Sequence, residues 1–302
     1  MGAQLRVFRR RIRSVQATKK ITKAMELIAS SRIVKAQQRL DAATPYLTQL
    51  NAAVSAAASH ATDVSKHPLT SQGDNPTRAA ILVVTADRGL AGAYSTNAIK
   101  EAEGLSTRLR QRGLAVSLYV VGRKGVSFYR FRNRAMEGEY VGFTDQPTYA
   151  DAQRIGSDLL AGFLRSTAEG GYDEIHVVYT QFINMGTQQV RIRRILPLEI
   201  EEKRVDASDS RNLPFPLYEF EPGPEAVLDA LLPRYIDHTV YTALLMSAAS
   251  EHAARRRAMK SATDNAEELI RSLTRQANAA RQAEITQEIS EIVGGADALT
   301  SA

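Results

Sequence analysis

Residues 36–57 read AQQRLDAATPYLTQLNAAVSAA, with apolar side chains at Ala36, Leu40, Ala43, Leu47, Leu50, Val54 and Ala57. The steps alternate between four and three. That is the seam of a helix lying along other helices, and it decides the fold class. Upstream, Leu5, Phe8, Ile12 and Val15 keep the same spacing, and Ile21, Met25 and Ile28 resume it with a shifted phase. From Gln4 to His60 there is one proline, Pro45, and no glycine. Pro45 predicts a kink. At 1.5 Å per residue this helix spans about 85 Å.

A second segment of the same kind runs from Pro224 to Val293, with Pro233 inside it and Gly294-Gly295 after it. Continuous, it spans about 105 Å. Its seam is read through Tyr241, Leu245, Ala248, His252, Arg255, Met259, Ala262, Ala266, Leu269, Leu273, Gln276, Ala280 and Ala283. Both helices far exceed the usual globular length and need a partner along their whole extent. One leads into the middle of the chain and the other leads out, so docking on one side makes an antiparallel pair. The second is longer by about 10–15 residues, an overhang of ~15–20 Å. Its tip carries Ile285, Ile289, Ile292 and Val293. An exposed apolar tip is an interaction site.

The middle alternates strands with helices. Ala79–Thr85 is a continuous apolar run and Ala115–Val121 a second, with Glu174–Thr180 and Gln188–Ile195 as further strands. Asn97–Gln111, Arg123–Tyr129 and Tyr149–Ser166 read as helices. This predicts a doubly wound α/β sheet. Polar linkers at 61–77 and 201–216 flank it. Three segments follow: an N-terminal helix over 1–60, a linker and Rossmann-like domain over 61–223, and a C-terminal helix over 224–302. The fold class is thus α/β plus a long antiparallel coiled coil.

The chemistry expected of an enzyme is missing. The turn after the first strand, DRGLAGAY (87–94), is not G-x-G-x-x-G, and there is no P-loop. Its glycines suit a tight turn and close helix–sheet packing. His60, His67, His176, His238 and His252 have no metal-ligand spacing, and no Ser sits in a G-x-S-x-G elbow. No cofactor, metal or catalytic residue is expected. Cys is absent, which excludes disulfides and thiol control. No apolar run is long enough for a membrane span, and the basic start lacks the apolar stretch of a secretory signal.

Charge is uneven along the 302 residues. Residues 1–40 hold eleven Lys and Arg against Glu26 alone, so this segment is +10 while the chain's net charge is +6. Residues 224–302 hold eight bases and eleven acids. A basic arm fits an acidic partner: nucleic acid, a membrane surface or an acidic protein loop.

Three stretches carry a family resemblance. IRSVQATKKITKAME (12–26) resembles the opening helix of the γ subunits of F-type ATP synthases. SEHAARRRAMKSATDNAEE (250–268) and ARQAEITQEISEIVGG (280–295) resemble that family's C-terminal helix, and VVTADRGLAGAYSTN (83–97) the start of its central domain. The likeness covers essentially the whole chain. It implies a non-catalytic central-stalk rotor, driven by a proton-turned c-ring, that imposes successive conformations on the catalytic sites of an α3β3 head. The implied partners are the α and β subunits, the ε subunit and the c-ring, with no nucleic acid and no homo-oligomer. The implied location is the cytoplasmic face of a bacterial plasma membrane, reached only through the complex. By the same resemblance Lys23 and Met25 face the acidic helix–loop of a β subunit. Arg281, Gln282, Ile285, Thr286, Glu288, Ile289 and Ile292 meet the top of the head. The turn RSTAEGGYDE (165–174) is either an ordinary loop or one that reaches a neighbour at the stalk base. The rival readings are a basic coiled-coil nucleic-acid binder, with steeply salt-dependent binding, and a Rossmann-type enzyme with helical arms.

Overall fold

The computed structural model describes residues 2–60, 69, 76–166, 169–198, 220–221 and 223–300. Both expected linkers fall largely outside these residues, as do Thr167 and Ala168 of the 165–174 turn. The elements in chain order are α1 (Gly2–His60), β1 (Arg78–Val84), α2 (Tyr94–Gln111), β2 (Ala115–Val121) and α3 (Arg123–Phe131). Then come β3 (Gly138–Tyr140), α4 (Tyr149–Leu164), β4 (Glu174–Phe182), β5 (Gln188–Leu196) and α5 (Pro224–Thr300). They form two compact units, one of Met1–Ser30 with Arg255–Ala302, the other of Ser31–Ala254.

The second unit is built on a five-stranded sheet of order β3-β2-β1-β4-β5. β1 pairs in parallel with β2 and β4, and β2 with β3. β5 pairs antiparallel to β4. Strand and helix alternation had implied crossovers throughout. Residues 183–187 are too few for one, so the chain must turn straight back as a hairpin. Asn184 secures the turn, its Oδ1 accepting from the N–H groups of Gly186 and Thr187 at 2.9 and 2.8 Å. β3, only three residues long, was absent from the sequence reading.

Alternation along the strands divides the core into two layers. Ala79, Ile81 and Val83 of β1, with Leu118 and Val120 of β2, pack against Ala98, Ala102, Leu105 and Leu109 of α2. On the other face, Ala80, Leu82 and Val84 meet Ile155 and Leu159 of α4, Leu228, Leu232 and Ile236 of α5, and Leu50 and Val54 of α1. β1, central and covered on both faces, is therefore a continuous apolar run. α4 starts where Thr148 and Asp151 form a reciprocal cap.

Within this unit an aromatic cluster ties three helices. Tyr46 of α1 stacks on His238 of α5 with ring centroids 4.1 Å apart, and Tyr149 of α4 tilts against the same imidazole at 5.1 Å. Next to it, Asp237 lies against Gly156 of α4, where an added methyl would collide with the carboxylate. Burial raises the Asp237 carboxyl to about 6. The unfolded chain releases that proton near pH 4, so Asp237 lowers stability as pH rises from about 4 to about 6. Ionised at neutral pH, this partly exposed carboxylate costs about 1 kcal/mol after solvent screening. Asp237→Asn is therefore expected to raise the thermal midpoint at pH 8 and to leave it nearly unchanged at pH 4. Equal effects at both pH values, read by circular dichroism, would contradict the assignment.

Candidate functional site

The first unit holds the paired ends of α1 and α5. The Thr22 and Thr263 hydroxyls lie 2.8 Å apart, and Lys19 Nζ donates to Glu267 Oε2 at 3.2 Å. As the number rises on α1 it falls on α5, so the two segments run antiparallel. Counting outward from Thr22–Thr263 places Val15 opposite Ile270, Ile12 opposite Leu273 and Phe8 opposite Ala277.

This register corrects two readings of the seam. On α1 the sheltered positions are Leu5, Phe8, Ile12, Val15, Lys19, Thr22, Glu26 and Ala29, in unbroken steps of three and four. There is no phase shift after Val15. The seam continues through polar residues, and Ile21 and Ile28, expected inside, are 61% and 54% exposed. On α5 the sheltered positions after Met259 are Thr263, Ala266, Ile270, Leu273, Ala277, Ala280 and Glu284. Ala262, Leu269, Gln276 and Ala283 are each one residue off that line.

The polar section of the seam is satisfied. Each threonine hydroxyl is also within reach of its own helix, Thr22 of Lys19 O at 3.1 Å and Thr263 of Met259 O at 2.9 Å. Glu267 accepts from Lys19 and from Arg271, and these hydrogen bonds hold its carboxyl below the ordinary range. Lys23, mostly exposed, donates to Glu26 at 3.0 Å.

The expected contact residues fall into two groups that the structure does not bring together. Lys23 and Met25 stand beside the polar seam. Met25 is half-buried and lies between exposed Ile21 and Ile28, so the three make an outward apolar stripe at spacings of four and three. The sequence reading placed Ile21 and Ile28 in the core; the signal it missed is the unbroken heptad through Lys19, Thr22 and Glu26. Arg281, Gln282, Ile285, Thr286, Glu288, Ile289 and Ile292 are all exposed, Ile292 at 72%. Lys23 lies opposite position 262, so these residues begin about 28 Å farther along α5.

By the same register, residue 283 of α5 lies opposite Gly2, the first residue of α1. Residues 284–300 therefore extend beyond the described pair, an overhang of about 26 Å. It exceeds the expected length because the helix continues through Gly294-Gly295 to Thr300. Within it Thr286 and Ser290 return their hydroxyls to carbonyls four residues back. Gln287 donates to Glu291 at 2.9 Å.

The turn after β1 has a different character. Asp87 accepts from the N–H groups of Arg123, Gly142 and Thr144 at 3.1, 2.7 and 3.1 Å. The first backbone N–H of α3 is thus satisfied by the carboxylate of Asp87. Gly92 takes φ 57° there, as a tight turn requires. Among the described residues no group of three or more His, Asp or Glu is placed to hold a metal. None of the described helices is long and apolar enough to cross a membrane.

A family profile described as ATP synthase matches residues 4–299. An ATP synthase gamma chain of Thermobifida fusca is 59% identical over 302 residues, covering 100% of this chain and 98% of the relative. One of Acidothermus cellulolyticus is 60% identical over 301 residues, covering 100% and 99%. The chain belongs to the ATP synthase gamma-chain family. As a γ chain it is a non-catalytic subunit. A chain from a structure of the Euglena gracilis mitochondrial ATP synthase, comprising OSCP, F1 and c-ring, shares the fold at TM-score 0.66. It is 17% identical, and the match covers 99% of this chain and 95% of that one. A chain from the central stalk and c-ring of the Tetrahymena thermophila mitochondrial enzyme matches at TM-score 0.56 and 23% identity, over 80% and 99%. None of these relatives favours the nucleic-acid reading of the basic arm.

The threonine pair gives this γ chain a measurable register lock. Thr22→Val is expected to cost about 1 kcal/mol, because Thr263 loses its partner in a sheltered seam. Thr22→Val/Thr263→Val should cost less than the sum of the two single changes. Thermal unfolding of the four chains, followed by helix ellipticity, checks this, and strict additivity would show that the hydroxyls do not interact.

Proposed function

We propose that this chain is the rotating shaft of a proton-driven bacterial F-type ATP synthase, coupling rotation of a membrane c-ring to conformational change in an α3β3 head. The observation that carries the reading is the α5 overhang, a helix with Ile285, Ile289, Ile292 and Val293 exposed and no counterpart on α1. Such a tip needs a sleeve. A sleeve in which it turns must bind through non-directional apolar contact, because strong ion pairs would lock it.

In this reading 1–60 and 224–302 are the arms of an antiparallel coiled coil. The in-phase seam and the Thr22–Thr263 pair support it. Segment 61–223 is the base domain. The parallel order β3-β2-β1-β4, with β1 inside, supports a Rossmann-like description. The tip residues, with Arg281, Gln282, Thr286 and Glu288, meet the top of the head, formed by α and β subunits. Lys23 and Met25, with Ile21 and Ile28 beside them, meet an acidic segment of a β subunit. The base carries an ε subunit and stands on the c-ring. One copy serves each head, without homo-oligomers, and the chain reaches the cytoplasmic face of the plasma membrane only through the complex.

Coupling requires that the shaft interact differently with each conformer of a catalytic subunit. The one-sided stripe of Ile21, Met25 and Ile28 supplies that asymmetry. Co-purification is the direct test: α and β subunits should be recovered with this chain, in a complex whose ATPase activity depends on it. A monomer indifferent to those subunits would remove the reading. Met25→Lys puts a new charge into the stripe and is expected to lower ATP made per proton more than it lowers assembly. An unchanged yield per proton in proton-driven vesicles would count against Met25 as a contact.

A further inference from the structure

Helix α5 buries apolar side chains through Leu228, Leu232, Ile236, Val240 and Leu244, and beyond them polar side chains are buried among the alanines. Ser247, Ser250, Glu251 and His252 are polar, and all are at most 2% exposed. Their partners sit near the end of β4 and in the loop after β3. Ser247 Oγ accepts from Thr180 N at 3.4 Å, and Ser250 Oγ donates to Thr180 O at 3.0 Å. Thr144 Oγ1 accepts from Asp87 N at 2.9 Å, which leaves its own hydrogen for Glu251 Oε2 at 3.2 Å. His252 Nε2 lies 3.1 Å from Asp145 O.

The loop over residues 141–145 that receives these contacts is itself fixed. Asp87 holds Gly142 and Thr144 by their N–H groups and holds the first residue of α3 as well. Asp145 then reaches the other helix: Arg32 of α1 donates to its Oδ2 at 2.9 Å, with Arg88 at 3.8 Å. A single short loop thus engages α1, α5 and the sheet through directional bonds, all inside one compact unit.

Burying a carboxylate and an imidazole is a poor route to stability, because packed apolar residues of the same size usually do as well or better. Hydrogen bonds have one thing that apolar contacts lack: they resist sliding and rotation of one surface over another. We infer that this polar belt is a torque joint, in which Asp145 and Glu251 are positioning residues that hold both helices at one rotational setting on the α/β domain. The inference rests on the rotor reading and deepens it. Twist applied to the base domain enters the helices here, at a contact opposite in kind to the apolar tip.

The test uses the assembled enzyme. Asp145→Asn and Arg32→Gln should leave subunit assembly, and ATP hydrolysis by the membrane-detached head with its shaft, at the parent level. In inverted membrane vesicles, protons pumped per ATP hydrolysed should fall about threefold, the scale of one partly exposed ion pair. Glu251→Gln keeps the volume and can still accept from Thr144, and should lose less. Arg32→Lys keeps the charge beside Asp145 and should retain most of the pumping. Pumping at the parent ratio in Asp145→Asn, or a loss in Arg32→Lys as large as in Arg32→Gln, would overturn the joint while leaving the rotor reading intact. A parent chain that confers no ATPase activity on α and β subunits would overturn both.

Discussion

A helix of 59 or 77 residues exists only while something shelters one of its faces, and the seam between α1 and α5 is that shelter in the first unit. Its apolar positions would tolerate several registers, because alanine and leucine pack against each other without direction. Thr22 with Thr263, and Lys19 with Glu267, tolerate only one. A polar residue at a seam position sacrifices some burial and specifies alignment in return. That alignment sets how far α5 runs past the start of α1.

The α/β domain solves a different problem. Its central strand is covered on both faces. Just past its end, Asp87 gathers α3 and the loop after β3. Two glycines after β2 serve close packing against the end of β1. A methyl on Gly122 would strike the Thr85 carbonyl, and one on Gly125 the Thr85 side chain.

Much of this was readable in the sequence, for identifiable reasons. β1 and β2 are continuous apolar runs between polar turns, and the two long helices lack glycine over most of their length. The tip was legible because Ile285, Ile289 and Ile292 recur at helical spacing with no matching segment at the start of α1. β3 was not legible, since Gly138–Tyr140 is too short to show a period. The seam was misread where polar residues occupy it. Ile21 and Ile28 are apolar, so periodicity draws them inward, while the sheltered positions belong to Lys19, Thr22 and Glu26. Only the pairing of both helices separates the two choices, and no one-helix pattern contains it. The expected partner residues do not depend on this correction, because they rest on a family resemblance and not on which face is buried.

These features divide the polar and apolar resources of the chain by task. At the end of α5 the exposed groups are aliphatic, as at Ile289 and Ile292. Where two elements must keep one alignment, buried hydroxyls and charges meet, as at Thr22–Thr263 and at Glu251 with Thr144. Stability alone would favour the reverse assignment at the second kind of place, since leucines there would pack well at no desolvation cost. Polar contacts in the middle of otherwise apolar helices are therefore better explained by direction than by strength. It follows that a substitution can leave this chain folded and its helices paired, and still change how rotation passes through it.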